Sequence, residues 1–293
     1  MQLSDHDVFL LSQCAVSAAY QAGHLIARYA ASNNVAVNTK SGGGSLASQV
    51  VTEVDHLAQD AILQILQPTC ARYDLALLSE ESPDDGKRLA KDYFWCIDPL
   101  DGTLPFIERV PGYSVSIALV ARDGAPLIGV VYDPLAQRLY HAEQGQGAWR
   151  DRHCLPPSAE RDTLTFITDK SFVHDPLYAA TLPELDRIAA ELGYAKAELT
   201  LQGGAALNAC QVLEKSGCYF KYPKPQAGGG SVWDYAATAC LFREAGVPFS
   251  DMRGRPLKLN PEGSTYLNHC GVLYCSHQAI AACMLDLYRR LSV

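Results

Sequence analysis

Apolar side chains recur every three to four residues in several stretches of the chain, the spacing that places them on one face of an α-helix. The first stretch covers residues 7–29, and the second begins at or near Asp55 and continues through Leu66. The later stretches of this kind cover residues 182–192, 205–213, 232–245 and 278–291. Gly246 directly follows one of them, as expected of a residue that ends a helix. The sequence therefore predicts a helix in each stretch.

Short apolar runs and alternating apolar positions predict strands between these helices. They cover residues 75–78, 93–97, 113–122, 126–132, 138–141, 164–168, 218–220, 247–249 and 271–274. The first two runs end in acidic residues, and the next three alternate as in an antiparallel meander. Because the connection at 150–157 is polar and contains proline, we expect one subdomain over residues 1–155 and a second over residues 156–293.

Composition narrows the class of protein. The chain has 293 residues, 48% of them hydrophobic, and a formal net charge of −8 at pH 7, which fits a globular protein with a sizeable core. An acidic chain without lysine or arginine runs is a poor partner for a nucleic acid polymer. No apolar run approaches the roughly 20 residues that span a membrane. The first residues lack the basic segment of a signal peptide, so we expect a cytoplasmic protein that does not bind membranes.

Acidic residues collect where the predicted elements begin or end. Glu80 follows one apolar run, Asp98 and Asp101 follow the next, and Asp55 and Asp234 stand at helix starts. Carboxylate oxygens without a matching set of histidines are typical ligands of Mg²⁺ or Mn²⁺. At a helix start, an acid also complements the helix dipole without any ion. Burying Asp98 beside Asp101 without a cation is costly, however, so this pair predicts a metal site.

The turn that follows Asp98 also suits an anion. Pro99 stiffens the turn, and Gly102 allows backbone N–H groups to approach a phosphate at the start of a helix. The glycine clusters at 42–44 and 228–230 lack the Gly-Lys-Ser/Thr ending of a P-loop, so we do not expect a nucleoside triphosphate. The segment 98–103 therefore predicts a combined metal and phosphate site.

Three segments of the chain resemble the signature stretches of the inositol monophosphatase superfamily. They are residues 78–82, residues 95–103, and residues 232–237 followed by 243–246, and residues 51–55 match as well. The resemblance implies an α/β fold, a layered αβαβα sandwich of the sugar phosphatase type with mixed sheets and paired helices. In such a fold the N-terminal subdomain carries the metal and phosphate motifs, and the C-terminal subdomain completes the active site.

The resemblance also implies roles for individual residues. Two or three Mg²⁺ ions, for which Mn²⁺ can substitute, are expected to be bound by Glu80, Asp98, Asp101, Asp234 and the carbonyl of Leu100. The catalytic residues are expected to be Asp55 and Thr103, which orient the attacking water, together with Glu80. Phosphate and substrate contacts are expected at Asp101, Gly102, Thr103, Gly204, Ala205, Lys221, Lys224 and Asp234. Lys40 and Glu81 match positions near the metals.

The resulting hypothesis is a magnesium-dependent phosphomonoesterase of the inositol monophosphatase kind, acting on a small phosphorylated metabolite. The Leu-Ser-Glu-Glu form at 78–81 and the lysine-bearing loop 221–231 leave a 3'(2'),5'-bisphosphate nucleotidase as the alternative. A non-catalytic metal- and phosphate-binding regulatory protein is the alternative of another class, although such a protein would not need Asp55 and Thr103. The resemblance leaves a homodimer possible.

Two features depart from the superfamily pattern. Leu104 and Pro105 stand where many relatives have Thr-Asn after the Asp-Gly-Thr core, so the short helix start is expected to differ. The segment 221–231 before Trp233 is longer than in the simplest relatives. Neither departure changes the expected metal ligands. Both leave the identity of the substrate open.

Overall fold

The computed structural model describes residues 2–31, 37–39, 50–155, 162–225, 228 and 230–292. Within these ranges there are seven α-helices: α1 (Asp5–Ala31), α2 (Glu53–Tyr73), α3 (Thr103–Glu108), α4 (Tyr178–Glu191), α5 (Ala205–Val212), α6 (Val232–Ala245) and α7 (Gln278–Leu291). Two 3-10 turns cover Lys87–Leu89 and Lys170–His174.

The strands form two large sheets and one small one. A two-stranded antiparallel sheet pairs β1 (Val37–Thr39) with β2 (Val50–Thr52). The seven-stranded sheet contains, in spatial order, β3 (Ala76–Ser79), β4 (Tyr93–Asp101), β5 (Ser114–Ala121), β6 (Pro126–Asp133), β7 (Arg138–Glu143), β8 (Ala148–Arg150) and β9 (His153–Cys154). Strands β3 and β4 are parallel, and the remaining neighbours in this sheet are antiparallel.

The five-stranded sheet comes from the second half of the chain. Its strands are β10 (Thr163–Thr168), β11 (Lys196–Leu201), β12 (Gly217–Lys221), β13 (Phe249–Ser250) and β14 (Val272–Cys275), in the order β11-β10-β12-β14-β13. Strand β10 is parallel to both of its neighbours, whereas β14 is antiparallel to both of its own. The mixed sheets expected from the sequence are therefore present.

Alternation along the strands builds the layers. In β4, Trp95 and Ile97 belong to the apolar cluster that contains α1 and α2, whereas Phe94 and Cys96 belong to the cluster that contains α5 and α6. The same inner cluster includes Tyr219 of the five-stranded sheet. Helices α4 and α7 cover the outer face of that sheet. The α-β-α-β-α order expected from the sequence is confirmed.

Most predicted elements are found within a few residues of their expected bounds, and the differences have local causes. The helix predicted at 182–192 begins four residues earlier, at Tyr178. Helix α3 begins directly after Gly102, where the sequence predicts a helix start, but its length was not predicted because six residues are too few to show a helical period. Strand β11 was not predicted because it is a half-exposed edge strand whose apolar and polar positions differ little in burial. The subdomain boundary at 155/156 stays a prediction, since helix α6 of the second half packs on the seven-stranded sheet.

None of the helices in the described part of the chain combines the length and the apolar character that crossing a membrane requires.

Candidate active site

Two buried acids lie near the C-terminal end of strand β4 in the seven-stranded sheet. Asp98 and Asp101 are 1% and 4% exposed, and the register with β5 shifts between them. The bulge contains Pro99, which has no N–H to give to a sheet ladder. The Leu100 N–H donates to Asp98 Oδ1 at 3.0 Å, which fixes the first carboxylate against its own turn. The bulge thus places both acids on one short, rigid segment.

The turn continues into helix α3 through Gly102, which has φ 87°. A Cβ at this position would lie 2.2 Å from the Gly112 carbonyl oxygen, so only glycine fits. The next residue, Thr103, has its Oγ1 3.1 Å from Asp55 Oδ1 and 3.3 Å from the Leu100 carbonyl oxygen. Asp55 is buried in the first turn of α2. The two predicted water-orienting residues are therefore in contact.

Asp101 is held by the N-terminus of α5. The N–H groups of Ala205 and Ala206 donate to its two carboxylate oxygens at 2.9 and 2.8 Å. Gly204 precedes them with φ 79°, and a Cβ there would meet the Gly112 carbonyl oxygen at 2.0 Å. Two backbone donors at a helix N-terminus stabilise an ionised carboxylate. Gly204 and Ala205 thus position Asp101, and their expected contact with substrate stays a prediction.

Asp234 approaches the same place from the first turn of α6. The Ser231 N–H donates to its Oδ2, as in a capping box. One residue earlier, the Trp233 carbonyl accepts a hydrogen bond from Ser116 Oγ at 3.0 Å, which ties this turn to strand β5. An acid from the second half of the chain is thereby fixed against the sheet of the first half.

These three acids form one cluster. Asp98, Asp101 and Asp234 each place a carboxylate oxygen within 4.8 Å of the others. Burial, followed by the charges of Glu80, Asp101, Asp234 and Asp55, raises the pKa of Asp98 well above its ordinary value. Burial and the charge of Asp234 raise the pKa of Asp101 to about 7, although the two N–H donors oppose this shift. Burial also raises the pKa of Asp234.

The donor set fits a hard divalent cation. Like charges that are buried together favour protonation, and a cation among them removes that penalty. All three candidate ligands are carboxylates, which are the ligands that Mg²⁺ and Mn²⁺ prefer. Several neighbouring carboxyl groups with raised pKa values are typical of a functional site. The cluster is therefore able to bind a metal ion.

Glu80 lies beside this cluster, in the turn that follows β3. Its N–H donates to the Ile97 carbonyl at 3.1 Å, immediately before Asp98. The Glu80 charge is the largest Coulombic contribution to the raised pKa of Asp98. The side chain of Glu81 is 2% exposed and lies 3.9 Å from His56 Nδ1. The structure thus brings Glu80 next to the acidic cluster, as the sequence predicts.

The two predicted substrate lysines, one at the end of β12 and one in the segment after it, each contact a side chain from the segment after β10. Lys221, the last residue of β12, pairs with Asp169 at 2.8 Å, and its side chain is 13% exposed. Burial alone would lower the pKa of Lys221, but the charge and hydrogen bond of Asp169 together with the charges of Tyr235 and Asp234 raise it. The Lys221 charge also lowers the pKa values of Asp101 and Asp234, so it lies near the cluster. Lys224 Nζ donates to Ser171 Oγ at 3.3 Å.

Sequence reasoning missed two polar residues that support this site. Asp169 directly follows strand β10. Asp98 was selected from the sequence because it ends an apolar run, and the same criterion applied to β10 would have identified Asp169. Gln59 lies one helical turn after Asp55 and contacts the turn that carries Glu80. Its position four residues after an acid on a helix was the available signal. Lys40, expected near the metals, lies outside the described residues.

Comparisons with known proteins agree with this arrangement. The model of the inositol monophosphatase family matches residues 9–291. The chain is 32% identical to Inositol monophosphatase 2 of Homo sapiens, over 84% of this chain and 82% of that protein. It is 33% identical to Nus factor SuhB of Escherichia coli (strain K12), over 82% of this chain and 84% of that protein.

A nucleotidase and a solved structure are similar as well. The chain is 33% identical to 3'(2'),5'-bisphosphate nucleotidase CysQ of Salmonella typhimurium, over 74% of this chain and 82% of that protein. The crystal structure of extragenic suppressor protein suhB from Bartonella henselae has a TM-score of 0.74 and 25% identity, covering 96% of this chain and 99% of that one. With its signature acids gathered at one site and the family match spanning nearly its whole length, the chain belongs to the inositol monophosphatase family.

Proposed function

We propose that this protein is a magnesium-dependent phosphomonoesterase that hydrolyses a small phosphorylated metabolite. The observation that carries the proposal is the buried cluster of Asp98, Asp101 and Asp234 beside the Thr103–Asp55 contact. A cation-binding cluster alone would serve a binding protein. A hydroxyl and a buried carboxylate in contact beside it supply the proton acceptor that hydrolysis requires.

Glu80, Asp98, Asp101, Asp234 and the Leu100 carbonyl would hold the cations. When bound, divalent cations would stabilise the charge of the phosphoryl group and lower the pKa of the attacking water. Thr103 donates a hydrogen bond to Asp55 Oδ1, so its oxygen is able to accept one from the attacking water. As the water proton passes to the Thr103 oxygen, the Thr103 hydroxyl proton would pass to the Asp55 carboxylate, which ends protonated. Gly102 and Thr103 would orient the phosphate through their backbone N–H groups.

The first candidate substrate is an inositol monophosphate, because the family match and the human relative both point to it. The second is a 3'(2'),5'-bisphosphate nucleotide. One observation favours this second candidate: a largely buried ammonium group, that of Lys221, lies close enough to Asp234 to lower its pKa. A second phosphate on the substrate would compete with Asp169 for this ammonium group, and a relative named as such a nucleotidase is 33% identical.

The test is phosphate release from a panel of phosphomonoesters by the purified protein with Mg²⁺. We expect turnover of inositol 1-phosphate or of adenosine 3',5'-bisphosphate, and its loss on chelation of the metal. Thr103→Val keeps the shape but removes the hydroxyl, so we expect kcat to fall about 100-fold while Mg²⁺ still binds.

The same panel separates the alternatives. Preference for the bisphosphate that disappears in Lys221→Met would identify the nucleotidase. Mg²⁺ binding without turnover of any substrate would instead identify a non-catalytic regulatory protein, a possibility kept open by the relatives named Nus factor. Absence of both Mg²⁺ binding and turnover would refute the proposal.

A further inference from the structure

The side-chain amide of Gln59 is enclosed by the turn that carries Glu80. Gln59 lies on α2 and is 7% exposed. Its Oε1 accepts hydrogen bonds from Ser79 Oγ at 2.6 Å and from Ser82 Oγ at 3.3 Å. Its Nε2 donates to the Glu81 carbonyl at 3.4 Å. One amide thus contacts the residue before Glu80 and the two residues after it.

The same turn is held from its other side by strand β4. The Glu80 N–H donates to the Ile97 carbonyl at 3.1 Å, and the Ser82 N–H donates to the Ser79 carbonyl at 3.3 Å. Glu80 therefore has its backbone fixed to the strand that carries Asp98, while its neighbours are fixed to a helix. With both sides held, the direction in which the Glu80 carboxylate points depends on where α2 lies.

Helix α2 also carries Asp55, four residues before Gln59, on the same face. Asp55 contacts Thr103, which belongs to the turn after β4. Helix α2 also contacts the Ser79–Ser82 turn through His56, whose Nδ1 lies 3.9 Å from the Glu81 carboxylate. The first two turns of α2 therefore contact both the cation-ligand turn and the water-orienting threonine.

We propose that Gln59 is a positioning residue that fixes the Glu80 carboxylate relative to the Asp98 cluster and to Asp55. It contacts neither substrate nor cation, and it acts by holding the Ser79–Ser82 turn on helix α2. The inference rests on the proposed function, because it assumes that Glu80 is a cation ligand. Residues that orient metal ligands typically affect metal affinity by about 10- to 100-fold.

The test is calorimetric titration of the metal-free protein with MgCl₂, which needs no turnover. Gln59→Leu removes all three hydrogen bonds while keeping an apolar volume in the site. We expect the Mg²⁺ dissociation constant to rise by about 10-fold or more. In a Glu80→Gln background the same substitution should have little further effect, since the ligand that Gln59 positions is already lost.

A matched control separates positioning from loss of stability. Thr69 lies on the same helix, is similarly buried, and accepts a hydrogen bond from Trp95 Nε1 at 2.9 Å. Thr69→Val should lower the melting temperature as Gln59→Leu does, but should leave the Mg²⁺ dissociation constant unchanged. If Gln59→Leu does not fold, Ser79→Ala removes the shortest of the three contacts and should weaken Mg²⁺ binding in the same direction.

The outcomes distinguish the inference from the function on which it rests. No Mg²⁺ binding by the unmodified protein would overturn the proposed function. Normal binding by the unmodified protein, together with equal binding by Gln59→Leu or by Ser79→Ala, would overturn the role of Gln59 alone. Weakened binding that is additive with Glu80→Gln would also overturn it, because the two residues would then act independently.

Discussion

The acidic cluster and the Lys221–Asp169 pair lie near each other at strand ends, but they differ in how their charges are compensated. Asp98 and Asp101 close strand β4 among other acids, and burial with mutual repulsion raises their pKa values. Lys221 closes strand β12, and Asp169 follows β10 at 2.8 Å from it, so this pair neutralises itself. Among the described residues, the acidic cluster is the one of these two regions whose charges are not cancelled by a paired cation, which is why it is able to bind a metal ion.

The largest expected effect comes from removing one acid of the cluster. Asp98→Asn keeps an oxygen that can accept the Leu100 N–H but removes a carboxylate that we propose as a cation ligand. We expect phosphatase activity to fall at least about 100-fold, since losing one partner of a buried charge pair costs about 3–5 kcal/mol. Without metal, the same substitution should raise stability by about 1 kcal/mol, because it relieves repulsion between buried like charges.

Activity assays measure the expected loss of activity, and urea denaturation in the presence of a chelator measures the expected gain in metal-free stability. The parallel substitution Asp169→Asn serves as the comparison, and it should lower metal-free stability because Lys221 loses its charged partner. A fall in metal-free stability of Asp98→Asn would show that the cluster is not repulsive, which would remove the contrast between the two regions.

The acidic cluster and the Lys221–Asp169 pair should also differ in how their contributions to stability depend on pH. In the acidic cluster the folded pKa of Asp101 is raised to about 7, above its ordinary value, so the folded state binds the extra proton. This contribution is present below about pH 4 and is lost as pH rises through about 7, by roughly 2–4 kcal/mol in all. The metal-free protein should therefore be less stable at about pH 8 than at about pH 5.

Saturating Mg²⁺ should remove or reverse that slope, because the cation favours the ionised carboxylates. The measurement is the free energy of unfolding by urea at both pH values, with chelator and with Mg²⁺. The same slope in both solutions would mean that the cation does not bind at these acids. Lys221 contributes no opposing slope in this range, since its raised pKa lies far above it.

The contrast between the two regions also explains what the sequence could and could not predict. Helical spacing and strand alternation were sufficient for most helices and strands, whereas their order in layers was predicted from the resemblance to the superfamily. The acids Glu80, Asp98 and Asp234 could be found because each stands at the end or start of a strongly apolar element. These signals are local, and a single sequence carries them.

The features that were missed depend on contacts between distant segments. No local pattern indicates that Lys221 pairs with Asp169, which is 52 residues earlier, because register across the five-stranded sheet brings them together. In the same way, the N–H groups of Ala205 and Ala206 bind Asp101 across more than 100 residues. The end of helix α3 could not be predicted for a different reason, since six residues cannot show a period.

The smallest expected effect concerns the self-neutralised pair. Lys221→Met leaves the Asp169 carboxylate without this cation and takes a positive charge away from the neighbourhood of Asp234. We expect a loss of about 1–3 kcal/mol in metal-free stability. Adding Asp169→Leu should restore most of it, because replacing both members of a buried pair by apolar groups is often neutral. Urea denaturation of both variants in a chelator measures this.

Lys224→Met is the matched control. Within the described part of the chain, the Lys224 ammonium group donates to a neutral hydroxyl, that of Ser171. It should change stability by less than about 0.5 kcal/mol. If Lys221→Met were equally mild, the pair would not be bearing buried charge. The thermal shift produced by Mg²⁺ sharpens the comparison: it should be larger in Lys221→Met than in the unmodified protein, since the cluster then depends wholly on the added cation for its positive charge.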